Sequence, residues 1–185
     1  MKKRRRFFSL LPALVLWMMA SVLVWGFVFT RITDTSREKK ITLCVDAPVR
    51  DETGLAVRLE EGKGENIRMV KARAFTYAMF DTSELMNADL FIVPLSHAET
   101  YRDWFGPLPE DMRDAAPCLA WDGTPLGLLI YDAQTGAGAA RAYIDYPGAE
   151  DYYLFFGAAS LHAAGRENAV DNEAVSAARR LMEIP

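Results

Sequence analysis

The residues able to do chemistry are few and scattered. Asp46 closes a strand-like run, Lys40-Ile41-Thr42-Leu43-Cys44-Val45. Ser96 follows Ala88-Asp89-Leu90-Phe91-Ile92-Val93-Pro94, and Asp132 ends Leu126 to Tyr131. A hydrogen-bonding side chain just past a strand's carboxyl end is where open α/β sheets contact ligands. Asp46, Ser96 and Asp132 are therefore the candidate ligand contacts, with Tyr131 and Thr135 beside the last. The opposing reading makes Asp46 and Asp132 loop or helix caps. The two histidines, His97 and His162, stand alone in their segments. His97 reads as an exposed helix start and His162 as structural. No Gly-x-Ser-x-Gly turn accompanies them, so no nucleophile-base set and no catalytic residue is assigned. Gly136-Ala137-Gly138 hints at a phosphate loop, but position 141 is Arg where a third glycine belongs, so a turn is expected. No metal site and no cofactor is expected.

Cys44 and Cys118 are the only cysteines. In an oxidising compartment they are candidates for a disulfide. The competing reading is two buried thiols, and Cys44's apolar surroundings favour it. Trp104 and Trp121 could stack on a ligand or lid the core. The stripe Tyr152, Tyr153, Phe155, Phe156 reads as core, with a binding platform as the alternative.

These residues need elements to position them. Strands are expected at 40–46, 67–72 and 88–94, separated by helices at 52–61 and 75–80. Ser96 with Glu99 has the form of a capping box opening a further helix through Trp104. The alternation predicts an α/β domain with a mainly parallel sheet. A hairpin follows, 118–121 and 126–132 about Asp122-Gly123. Then come a strand over 139–146, an apolar helix over 151–163 and a terminal helix over 172–184.

Ahead of all this, residues 7–30 form a 24-residue run without a charge, preceded by Lys2-Lys3-Arg4-Arg5-Arg6. A helix needs about 20 residues to cross the hydrocarbon core. The basic end marks the cytoplasmic side, which predicts a single-pass cell-membrane protein with its C-terminal domain extracytoplasmic. A cleaved signal peptide competes, but the run is long and lacks a small-x-small end. The expected organisation is a basic tail and transmembrane anchor at 1–31, a linker at 32–40 and an extracytoplasmic domain at 41–185. The six basic residues of 1–31 leave 15 Lys+Arg against 25 Asp+Glu, a net of −10 beyond the anchor. An acidic body lacks the cations that nucleic-acid binding requires.

The stretches ITLCVDAP at 41–48, ADLFIVP at 88–94 with the following SHAETYRDWFGPLPE, and GTPLGLLIYDAQTG at 123–136 resemble the extracellular solute-binding proteins of bacterial ABC importers. Leu108-Pro109-Glu110-Asp111 and Pro125-Leu126-Gly127 stand where that family has comparable stretches. The resemblance implies a periplasmic-binding-protein-like lobe, reduced to one where the family has two. What it implies for function is an anchored module that binds a small solute, or a partner protein, without catalysis. The alternative is an interaction subunit of a membrane complex with no small ligand.

Overall fold

The computed structural model describes residues 12–26, 35–75, 85–147, 149–163, 165–166 and 168–185. It divides into two units, Met1–Thr35 and Ser36–Pro185. In the first, a helix α1 spans 12–26 and exposes its apolar side chains. No helix among the described residues is long and apolar enough to cross a membrane. The described residues therefore do not show the expected span over 7–30, of which residues 7–11 and 27–30 lie outside the described residues.

The second unit is an α/β domain on one mixed, seven-stranded sheet. It begins with a 3-10 turn, Arg37–Lys39, inside the expected linker. Strand β1 (Lys40–Val45) is buried along almost its whole length, as a central strand must be. Helix α2 (Glu52–Glu60) follows, started by Asp51, whose carboxylate accepts from the Gly54 amide at 2.8 Å. It buries Leu55 and Leu59, one turn apart on a single face. Strand β2 (Met69–Ala74) returns parallel to β1, and β3 (Leu90–Pro94) lies parallel on β1's other side. The expected helix over 75–80 lies outside the described residues beyond Phe75.

The rest of the sheet is antiparallel, which corrects the expectation of a mainly parallel one. Strands β4 (Phe105–Gly106), β5 (Cys118–Trp121), β6 (Thr124–Tyr131) and β7 (Tyr152–Gly157) complete the order β2-β1-β3-β7-β6-β5, with β4 on β7. The β5–β6 hairpin turns through Asp122 (φ 52°) and Gly123 (φ 77°), both left-handed as a type I′ turn requires. Strand β7 occupies the place of the expected helix over 151–163. Tyr152, Leu154 and Phe156 face one core, Phe155 the other. The expected strand over 139–146 is instead a series of turns with one bridge, Val49 to Ile144.

Helix α3 (Leu95–Ala98) is one turn long, with no side-chain cap, so the Ser96–Glu99 capping box does not form. Helix α4 (Glu173–Glu183) sets Ala174, Val175, Ala177, Ala178 and Leu181 against the core. That core, shared with α2, fills one face of the sheet. The other face carries Phe91, Phe155, Phe105 and Phe75, with Trp104 and Trp121 partly covering them. The two tryptophans thus lie against this core rather than standing clear as stacking platforms.

Cys44 and Cys118 sit on β1 and β5, with β3, β7 and β6 between them. At about 4.8 Å per strand they stand about 19 Å apart, far beyond disulfide reach. The candidate bridge is thereby corrected. Cys44 is buried and Cys118 exposed.

Phe155 stacks on Phe105 at 4.0 Å between ring centroids and on Trp121 at 6.0 Å. Phe155→Ala is expected to cost about 3–5 kcal/mol, since it removes a fully buried ring stacked on Phe105 and Trp121. Chemical denaturation measures it. A cost under about 1 kcal/mol would contradict this packing.

Candidate functional site

The chain leaves β1, passes through α2 to β2 on one side, then returns to β3 on the other. Such a reversal opens a crevice outside the strands' carboxyl ends, because the flanking connections depart to opposite sides. A cleft of about 520 Å³ lies there, lined by Val45, Asp46, Ala74, Phe75, Pro94, His97, Glu150 and Tyr152, among others.

Asp46 is fixed at the tip of β1 by its amide, which donates to the Ile92 carbonyl at 2.7 Å. Its Oδ2 lies 2.7 Å from Nδ1 of His97, on α3 past the tip of β3. The imidazole is 57% exposed and the carboxylate 20%. With a proton on Nδ1, the ring donates to Asp46 and keeps Nε2 as an acceptor. The edge of His97 meets Tyr101, whose hydroxyl is pushed up by burial and by the Asp46 charge.

Glu150 and Asp151 hold the other wall. Oε2 of Glu150 accepts from the Ser96 amide at 2.9 Å, and the Asp151 carbonyl accepts from the Leu95 amide at 3.0 Å. They thereby satisfy amides of a helix start that has no side-chain cap. Tyr152 follows and pairs with Pro94 across the β3–β7 ladder. Burial pushes its hydroxyl up to about 12, and the charges of Glu150 and Asp46 push in the same direction. The phenol therefore stays protonated and donates.

The three candidate contacts fare differently. Asp46 lines the cleft. Ser96 stands at its edge through its backbone, while the neighbouring His97 supplies the side chain. Asp132 is elsewhere. Its carboxylate accepts from the amides of Gln134 (2.8 Å) and Thr135 (3.3 Å) and from the Thr135 hydroxyl (2.9 Å). Those bonds hold its carboxyl below the usual range, the Gln134 amide contributing most. Asp132 is the cap of its own loop, which closes through Gly136 N to Asp132 O at 2.8 Å. The Gly136-Ala137-Gly138 run lies in that closed turn.

His97, Glu150 and Tyr152 were not singled out from sequence as contacts. The signal available for His97 was its place three residues past the β3 tip, once β1 and β3 are neighbours. Among the described residues no group of three His, Cys, Asp or Glu could hold a metal. Nor does any described Ser, Thr, Cys, Lys or Arg line the cleft. Among the described residues the cleft therefore offers two carboxylates, one imidazole, a protonated phenol and the side chain of Phe75. The chain matches no family model, no curated protein and no solved structure.

Proposed function

We propose that residues 36–185 form a non-catalytic binding module that takes a small cationic solute, an amine with some apolar surface, in the cleft at the β1 and β3 tips. The observation that carries this reading is the pair Asp46 and Glu150 on a partly apolar cleft whose described lining holds no Lys or Arg, its one basic group being the His97 imidazole bonded to Asp46. Carboxylates in a low-dielectric crevice favour a cation, and Val45, Ala74, Phe75 and Pro94 give the cleft apolar surface for the rest of the amine. The resemblance to solute-binding proteins of ABC importers supports the same role, in a single-lobe form without closure of two lobes around the ligand.

We also place the module outside the cytoplasm on a single-pass anchor, from the uncharged run 7–30 and the basic residues before it. Membrane fractions should retain the full chain after alkaline extraction, and protease added outside should reach the domain. Release by alkali would overturn the anchor.

The solute is tested by calorimetry on the detergent-solubilised full chain with a polyamine, arginine, choline, glutamate and glucose. Binding is expected for one of the three cations and for neither of the others. Asp46→Asn and Glu150→Gln should each weaken it roughly tenfold, the scale of a charge-assisted contact. Binding by none of the cations would refute the reading. A second reading, an interaction subunit, draws on the net acidic body. It is favoured if membrane cross-linking traps a partner while all five solutes fail.

A further inference from the structure

At the opposite end of the sheet, His162 is completely buried between two oxygens. Its Nδ1 lies 2.8 Å from Oδ1 of Asp171, and its Nε2 lies 2.9 Å from the backbone carbonyl of Arg37. Both are acceptors. A neutral imidazole carries one N–H and would satisfy only one of them. Asp171 cannot readily turn away, because the same oxygen accepts from the Glu173 amide at 3.0 Å. We infer that His162 is a buried imidazolium clasp that fastens the strap Arg37–Lys39 to the loop before α4, and that its deprotonation releases the strap.

The charged groups around the ring come from every side. Asp171 belongs to the loop before α4, and Asp89, from the residue before β3, adds a second negative charge. The Arg37 guanidinium, from the strap, donates to the Ala159 carbonyl at 2.9 Å. Glu173 on α4 turns its carboxylate to the Gly64 amide at 3.1 Å. Burial alone would lower the imidazole's proton affinity. The Arg37 carbonyl, Asp171 and Asp89 outweigh it and hold the ring above 6.5.

The geometry also says which contact opens. A carboxylate is the stronger acceptor, so the last proton stays on Nδ1 facing Asp171. The Nε2 lone pair then faces the Arg37 carbonyl, and the two repel. A raised value means the clasp is closed below the ordinary histidine range and opens as pH rises through the folded value. Residues 36–39 span about 8 Å at the rise of a 3-10 turn and about 13 Å when extended, so freeing them would lengthen the segment ahead of β1 by about 5 Å. The amide of Lys39, bonded to the Ser36 carbonyl at 3.0 Å, and that of Arg68, bonded to the Lys39 carbonyl at 2.8 Å, report on the strap.

The test uses the full chain in micelles with ¹⁵N-labelled histidine, and His97→Asn to leave one imidazole. At pH 6 both nitrogens of His162 should carry protons, with a titration midpoint above 6.5. Above that midpoint, hydrogen exchange at Lys39 and Arg68, corrected for base catalysis, should rise roughly tenfold, the equivalent of one lost hydrogen bond. Asp171→Asn keeps an acceptor but removes the charge, and should lower the midpoint by about one pH unit. A singly protonated ring at pH 6 would overturn the clasp. So would strap exchange that ignores the titration, or a midpoint unmoved by Asp171→Asn.

Discussion

Gly157→Ala is expected to lower stability by about 3 kcal/mol or more, one of the largest losses from adding a single methyl group to this domain. A Cβ at position 157 would lie 2.0 Å from the Ala88 carbonyl oxygen and 3.4 Å from the ring of Phe91. The first obstacle is backbone, so no rotamer change relieves it. Neither strand can retreat. The Gly157 amide donates to the Asp89 carbonyl at 2.9 Å, and Gly157 itself pairs with Phe105. Moving it would pull β7 from β3 and β4 together. The reading is the denaturant midpoint of the variant against the parent, with the slope unchanged. An unchanged midpoint would mean that β7 does not approach Ala88 this closely.

That close approach shows why some of the fold was legible in the sequence and some was not. Strands β1 and β3 were readable because both are buried on two faces, which leaves a continuous apolar run. The same property hid β7. Tyr152 to Phe156 is unbroken and apolar, and such a run fits a buried helix as well as a central strand. The hairpin is legible and forms as β5–β6, but a helix over 151–163 leaves nothing to join it to β3, so the antiparallel pairing of β7 with β3 and β6 is not legible. The site followed the same logic. Asp46 was visible because a strand tip is a local feature. Its partner His97 was not, because their contact depends on β1 and β3 lying side by side. Asp132 looks like Asp46 in sequence, yet Thr135 three residues on supplies a local partner that makes it a loop cap. The cysteines show the limit of composition, since a pair of thiols carries no sign of the three strands between them.

Asp89→Ala should be comparably damaging, about 3 kcal/mol, because it orphans two buried donors at once. Asp89 is 4% exposed and stands where β1 has run past its partner. The β1–β3 ladder begins only at Leu43 and Leu90, so the Thr42 amide has no strand carbonyl to meet. Oδ2 of Asp89 accepts from it at 2.9 Å, and Oδ1 accepts from the Ser160 hydroxyl at 2.7 Å. Asp89→Asn keeps an acceptor for Thr42 and presents its amide to Ser160, so its cost should be nearer 1 kcal/mol. The pH dependence separates the two roles of the carboxyl group. Burial raises its proton affinity above the ordinary 3.8, more than Ser160, Thr42 and His162 lower it. The folded state therefore binds this proton more tightly than the unfolded chain. The contribution is complete below about pH 3.8 and is lost as pH rises through the folded value. Asp89→Asn has no such component, so the stability gap between parent and variant should narrow as pH rises. Denaturant melts of both full-length chains from pH 4 to 8 measure it. A gap that widens with pH would mean that Asp89 is stabilised as a carboxylate, and the burial argument would fail.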